Sequence, residues 1–305
     1  MGTRSTSRRV QSPKQKRRQA ARPVPAWLYA AAAAGVAGLI AMVVVLLQDG
    51  ERGSKAGSLP NTPDYHSLLV SPSDARQIVL GTHNGLFRSS DGGKTWQAAE
   101  LGGQDAMNLA RGGKEVVWAA GHNVLARSLD GGATWENVRP SGLPGLDVHG
   151  FAVDPRDTKT LYAAIAGQGL YRSTDGGSSF SPVSREVGPG VFALAVTPDG
   201  RLLAGEGRQG LMVSTDGGRS WRLGLQASLV GLALNPGDPQ RILATGPGVL
   251  LSTDGGRSWR QVLELEEGAG PVAWSKSDPS LAYVVGFDRT LYRTADGGES
   301  WRPVA

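Results

Sequence analysis

No cysteine occurs in the 305 residues, so no disulfide can staple the fold and the small disulfide-scaffold class is excluded. A domain without staples must rest on its own apolar core, and the roughly 240 residues of 64–305 are enough to build one. Aromatic residues make up only 6% of the chain, so an aromatic that recurs at a fixed spacing carries weight. Other absences remove whole classes of chemistry. There is no glycine-rich phosphate loop after a parallel strand, no His-Glu-x-x-His and no cysteine-based zinc pattern. Nucleotide and structural-zinc chemistry therefore have no support, and no cofactor or metal is assigned.

Acid is missing from the first 25 residues, which hold Arg4, Arg8, Arg9, Lys14, Lys16, Arg17, Arg18 and Arg22. The formal net charge of +5 comes from this stretch, and the rest of the chain carries a small acidic excess. A repeat domain of that sign has no nucleic-acid footprint, so no nucleic-acid partner is expected. Residues 26–47 are uncharged and mostly apolar, and 22 such residues span about 33 Å as a helix, enough for a bilayer core. The sequence thus predicts a basic cytoplasmic tail at 1–25, a transmembrane signal anchor at 26–47 and a flexible linker at 48–63. A domain at 64–305 follows on the far side of the cell membrane. Cleavage after Ser54-Lys55-Ala56 is the rival reading.

What is abundant is glycine, 44 residues, and much of it sits in one recurring phrase. SSDGGKTW (89–96) returns as SLDGGATW, STDGGSSF, STDGGRSW, STDGGRSW and TADGGESW. The aspartates Asp91, Asp130, Asp175, Asp216, Asp254 and Asp296 lie 39, 45, 41, 38 and 42 positions apart, a period that marks stacked or radially arranged units. Ser/Thr and Asp are short acceptors that close a turn, and Gly-Gly supplies positive φ. The aromatic that ends each phrase (Trp96, Trp135, Phe180, Trp221, Trp259, Trp301) offers a large area to bury between neighbouring units. Each repeat also holds four short apolar runs, in the first HSLLVSP, QIVLGT, LFRSS and TWQAAEL. Four such strands make one antiparallel blade.

The phrase S-x-D-G-G-x-[ST]-W resembles the Asp-box, or BNR, repeat of sialidases, certain glucanases, sortilin-type receptors and photosystem assembly factors. That resemblance covers residues 65–305 and implies an all-β, six-bladed β-propeller with a structural box between strands three and four of each blade. The order of the runs predicts no strand exchange, so the ring is expected to close by packing between blades one and six.

The repeated aspartates cannot converge on one substrate and read as scaffold. Arg88, Arg127, Arg172 and Arg293 recur three positions before a box aspartate and are expected to pack their stems. The resemblance to sialidases implies an arginine triad, a tyrosine–glutamate nucleophile pair and an aspartate acid. This chain has no Arg-Ile-Pro, and its tyrosines fall inside predicted strands. A glycoside hydrolase is therefore the alternative reading. The favoured one is a monomeric binding or assembly module for a protein or glycan partner, with a further membrane contact through 26–47.

Candidate binding residues are the polar tips on the face opposite the boxes: His66, His83, Asn84, His122, Asn123, His149, Gln168, Glu206, Arg208, Gln209, Asp288 and Arg289. The four histidines are all the chain has and all belong to blades one to three, so they are expected on one face. Such a cluster, with Asp147 as a further candidate ligand, suits a divalent metal, a pH-sensitive surface or plain solvation.

Overall fold

The computed structural model describes residues 59–187 and 190–305. They form six four-stranded antiparallel sheets, each built from strands consecutive in sequence. Blade one is β1 (Tyr65–Val70), β2 (Ile78–Thr82), β3 (Gly85–Ser89) and β4 (Gln97–Ala98). Blade two is β5 (Asn108–Arg111), β6 (Val117–Gly121), β7 (Val124–Ser128) and β8 (Glu136–Asn137), and blade three is β9 (Val148–Val153), β10 (Leu161–Ile165), β11 (Gly169–Ser173) and β12 (Ser181–Ser184). Blade four follows as β13 (Val191–Val196), β14 (Leu202–Glu206), β15 (Gly210–Ser214) and β16 (Arg222–Leu225). Blade five is β17 (Gly231–Leu234), β18 (Ile242–Thr245), β19 (Gly248–Ser252) and β20 (Arg260–Glu264), and blade six is β21 (Ala269–Trp274), β22 (Ala282–Gly286), β23 (Leu291–Thr294) and β24 (Arg302–Pro303). First strands touch first strands around the ring, and β1 meets β21. The expected six-bladed propeller is present.

The expected transmembrane helix is not part of this fold. Residues 26–47, with the tail 1–25 and linker residues 48–58, lie outside the described residues. Among the described residues no helix is long and apolar enough to cross a membrane. The physical reason is plain: strands of at most six residues alternate with glycine-rich turns, far short of the about 20 apolar residues a spanning helix needs. The anchored fold class, the membrane contact and the single-pass location expected above are corrected on this finding. Leu59, Pro60 and Thr62 are buried while Asn61 and Pro63 are exposed, and the Pro60 carbonyl accepts from the Tyr65 hydroxyl at 2.8 Å.

Six apolar clusters hold the ring, one at every junction between neighbouring blades. The second strands β6, β10, β14, β18 and β22 are buried along their whole length because both faces meet a neighbour, which explains why they are almost wholly apolar. The fourth strands are shorter than their sequence runs suggest, only two residues in β4, β8 and β24, since an outer strand has a single pairing partner.

Each box aromatic packs against the preceding blade. Trp135 joins the cluster of blades one and two, Phe180 that of two and three, Trp221 that of three and four, Trp259 that of four and five, and Trp301 that of five and six. Trp96 of blade one packs with Tyr283 and Leu291 of blade six, so ring closure is by packing across that seam, as expected. The Tyr283 hydroxyl donates to the Ala75 carbonyl at 3.2 Å across it. Burial of the aromatics is uneven: Trp96 and Phe180 are buried, whereas Trp135, Trp221, Trp259 and Trp301 are half-buried at the rim.

The box itself is a small hydrogen-bonded cage. In blade six the Thr294 hydroxyl donates to Asp296 at 2.7 Å and accepts from the Gly298 amide at 3.0 Å. The Ser300 amide donates to the same carboxylate at 3.0 Å, the Ser300 hydroxyl donates as well, and the Trp301 indole donates to the Gly298 carbonyl at 3.2 Å. Gly93, at φ 92, shows why the second glycine recurs: a Cβ there would lie 2.1 Å from Leu291 Cδ2 of blade six. The Ser300 hydroxyl and amide, then the Thr294 hydroxyl, hold Asp296 down to about 2 against burial. For Asp91 burial works upward and is outweighed by the Thr95 hydroxyl and amide, again leaving about 2.

Two expectations follow from the scaffold. Trp96→Ala, at the seam, should cost about 3–5 kcal/mol in urea unfolding, the range for truncating a buried aromatic. Arg208→Ala, exposed on the opposite face, should cost under ~0.5 kcal/mol; equal losses would contradict the assignment of the two faces. The box carboxylates are depressed in the fold, so their contribution is complete above the unfolded value near 4 and is lost as pH falls towards about 2. Acid unfolding should therefore steepen in that window, and Asp296→Asn should flatten it; an unchanged acid profile would refute the contribution.

Candidate functional site

Antiparallel pairing puts the β3–β4 type of turn, with its box, at one end of each blade and the β2–β3 type of hairpin at the other. The links from one blade's fourth strand to the next blade's first strand share that second end. All twelve predicted residues lie there, but they do different things. Glu206 is buried, and its carboxylate accepts the amides of Arg208, at 2.8 Å, and Gln209, so it ties its own hairpin. Asp288 does the same, accepting the Thr290 amide at 3.0 Å and the Tyr292 hydroxyl at 2.6 Å. Arg289 sits at φ 64 and donates to Asn61 at 2.8 Å. Asn123 occupies the left-handed turn position at φ 59, and Asn84 donates its amide to the Thr82 hydroxyl at 3.1 Å. Gln168, Arg208 and Gln209 are exposed.

Three of the four histidines come together around Asp105, an aspartate not among the candidates, and His149 joins them through His122 and Asp147. Asp105 lies in the link between β4 and β5, and its side chain is only 6% exposed. Its two oxygens face three rings: His66 Nε2 at 3.2 Å from Oδ1, His83 Nδ1 at 3.1 Å from Oδ2, and His122 Nδ1 at 2.6 Å from Oδ2. Asp64 reaches His66 Nε2 at 3.1 Å. On the other side Asp147 Oδ1 stands 3.2 Å from both His122 Nε2 and His149 Nε2. Backbone packing fixes the arrangement. Gly121 at the end of β6 lets the Asp105 backbone approach, since a Cβ there would lie 1.9 Å from the Asp105 carbonyl. The Ser67 hydroxyl donates to the Ala106 carbonyl at 2.9 Å, and the buried Asn108 amide donates to the His149 carbonyl at 3.1 Å.

A signal for this cluster existed in the sequence. Asp64-Tyr65-His66 and Asp147-Val148-His149 are the same Asp-x-His at the start of the first strand of blades one and three, and Asp105-Ala106-Met107 stands in that place for blade two. His83-Asn84 and His122-Asn123 are likewise equivalent hairpin pairs. The repeat turns these into one spatial rule: a hairpin histidine of one blade meets the strand-start aspartate of the next, His83 with Asp105 and His122 with Asp147.

Beside the cluster the channel mouth turns apolar. A recess of about 200 Å³ is bounded by Asp64 and His66 on one side and by Met107, Phe192, Val230, Pro271 and Phe287 elsewhere. Phe192 on β13 is 38% exposed and Phe287 in the β22–β23 hairpin 44%, a large apolar area left in water on an otherwise polar face. Below it the channel narrows to about 80 Å³ between the first strands.

Two of the recurring arginines, Arg127 and Arg172, pack on the aromatic that faces them across the second and third strands. The guanidinium of Arg127 lies 5.6 Å from the Trp118 ring and its Nε donates to Glu136 at 2.9 Å, while Arg172 lies 5.9 Å from the Tyr162 ring.

The family described as photosynthesis system II assembly factor YCF48 matches residues 69–204. No curated protein matches the chain by sequence. Among solved structures, a GH74 xyloglucanase from Xanthomonas campestris superposes with a TM-score of 0.59 at 20% identity over 83% of this chain and 47% of that one. The chain thus spans about half the length of that enzyme. YCF48 from Cyanidioschyzon merolae gives a TM-score of 0.53 at 18% identity, covering 82% of this chain and 87% of that one. A structure of YCF48 bound to D1 peptide gives 0.52 at 18% identity, covering 81% and 83%. At these identities the superpositions speak for the fold alone. Six Asp-boxes, six sequential blades and the matching family description together make this chain an Asp-box β-propeller that resembles the YCF48 photosystem-assembly-factor family.

Proposed function

We propose that this propeller is a protein-binding assembly module whose face opposite the boxes receives a segment of a partner protein. The observation that carries this reading is the pair Phe192 and Phe287, exposed across the mouth of a recess bounded on one side by Asp64 and His66. A bulky apolar side chain fills such a recess and gains about 25 cal/mol for each Å² it removes from water. The half-exposed carboxylate of Asp64 at its edge accepts amide or ammonium donors from the same segment. The resemblance to YCF48, one structure of which holds a D1 peptide, supports a peptide over a glycan as the ligand.

Hydrolysis is the weaker reading. A glycosidase presents two carboxyl groups to the sugar, one of them free to give a proton. Here Asp64, Asp105 and Asp147 are all engaged by imidazoles at 3.2 Å or less. The likeness to a xyloglucanase covers 47% of that enzyme and carries the fold only.

The proposal is tested with peptides selected from a displayed library on the full chain. Selected peptides should bind at least about tenfold more weakly to Phe192→Ala or Phe287→Ala, a loss of about 1.4 kcal/mol that fits a central apolar anchor. Trp221→Ala, at the opposite rim, should leave their affinity unchanged. Peptides that bind all three variants alike would overturn the assignment of this face.

A further inference from the structure

In the cluster beside the recess, hydrogen bonding among its own members leaves one contact unexplained, the lone pair of His122 Nε2 facing the Asp147 carboxylate. His122 Nε2, His149 Nε2 and Asp147 Oδ1 form a nearly equilateral triangle, with the two nitrogens 3.1 Å apart and each 3.2 Å from the oxygen. Donor atoms on a metal with bonds of about 2.0–2.1 Å lie about 2.9 Å apart in an octahedron and about 3.4 Å apart in a tetrahedron. The triangle falls between the two.

The tautomer is set for the same outcome. His122 Nδ1 stands 2.6 Å from the buried Asp105 carboxylate, so its proton resides there and the Nε2 lone pair faces Asp147 and His149. This is the carboxylate–imidazole arrangement that orients metal-bound histidines. The His149 ring stacks on Phe192, with centroids 6.0 Å apart and planes 20° apart, which holds its Nε2 towards the triangle. Coordination through Nε2 places the ring proton on Nδ1, which is buried without a partner.

Charge points the same way. Asp64, Asp105 and Asp147 bring three carboxylates to four imidazoles, and the buried Asp105 Oδ1 faces only His66 Nε2, at 3.2 Å. A buried carboxylate requires a compensating cation close by. One divalent ion in the triangle serves the two ring nitrogens and the carboxylate together. Two imidazoles with one carboxylate suit ions of the Zn²⁺ class, while Ca²⁺ and Mg²⁺ take oxygen ligands.

We propose that His122, Asp147 and His149 bind one divalent first-row transition-metal ion with an open coordination position towards solvent, and that Asp105 orients His122 for it. Asp64, His66 and His83 also cluster on the far side of Asp105. His66 Nε2 is there already held between two carboxylates, at 3.1 and 3.2 Å, and this triad is not the proposed site. The inference concerns the cluster alone and is independent of what fills the apolar recess.

The test titrates Zn²⁺ into the full chain by calorimetry and follows Co²⁺ by its visible d–d absorption, with Mg²⁺ as control. One ion per chain should bind, with Co²⁺ giving the spectrum of a nitrogen–oxygen site and Mg²⁺ showing no uptake. His149→Gln should abolish binding, and Asp105→Asn should weaken it about 10–100-fold. His83→Gln should bind as the parent does. Far-ultraviolet circular dichroism of the metal-free variants identifies any that fail to fold. Should Asp105→Asn be among them, the pair His149→Gln and His83→Gln decides the matter. No uptake of Zn²⁺ or Co²⁺ at micromolar concentrations would overturn the proposal. So would binding that survives His149→Gln, or binding that is lost in His83→Gln.

Discussion

Everything in this molecule depends on one contact repeated six times: the aromatic of each box lying against the blade before it. A four-stranded sheet cannot bury both its faces alone, and here each face is covered only by a neighbour. The box solves two problems in eight residues. Its aspartate and hydroxyl neighbours satisfy the amides of a tight turn without help from the rest of the protein, and the turn then aims the aromatic sideways across the junction. Because the aim is the same in every copy, the contacts run in one direction around the ring. The last of them, Trp96 against Tyr283 and Leu291, joins the ends of the chain.

Such a scaffold frees the opposite face. Turns that hold themselves together at one end leave the hairpins and links at the other end with few structural duties, and the sequence there diverges from blade to blade. Blades one to three place histidine and aspartate around Asp105. Blades four and six place Phe192 and Phe287 at the channel mouth. The face is polar on one side and apolar on the other.

The fold was legible in the sequence because its cause is local and repeated. The box residues predict the turn, the glycines mark positive φ, and the spacing counts the blades. What escaped was the consequence of curvature. Asp105 carries no special neighbours in its own stretch and becomes the centre of the cluster only when blades one and two are brought side by side. The candidate tips mixed two kinds of residue for the same reason: Glu206 and Asp288 look like surface acids in sequence but are consumed by their own hairpins. The apolar segment at 26–47 predicted a spanning helix, and no element of the described fold supplies one.

The seam between blades one and six has a consequence for how the chain is made. Its partners are far apart in sequence: the Tyr283 hydroxyl and the Ala75 carbonyl are 208 residues apart. During synthesis five junctions can assemble in order as their blades emerge, but the sixth has no partner until β22 and β23 exist. Closing a loop that long rather than one of about 40 residues costs only about 1.5 kcal/mol more, so the delay is one of order, not of affinity. Until that moment the nascent protein is an open arc with a bare apolar edge on blade one, where Leu80 and Trp96 wait uncovered. An arc of that kind can close on itself or on the matching edge of a second chain. How soon the sixth blade is delivered decides between a ring and a swapped pair.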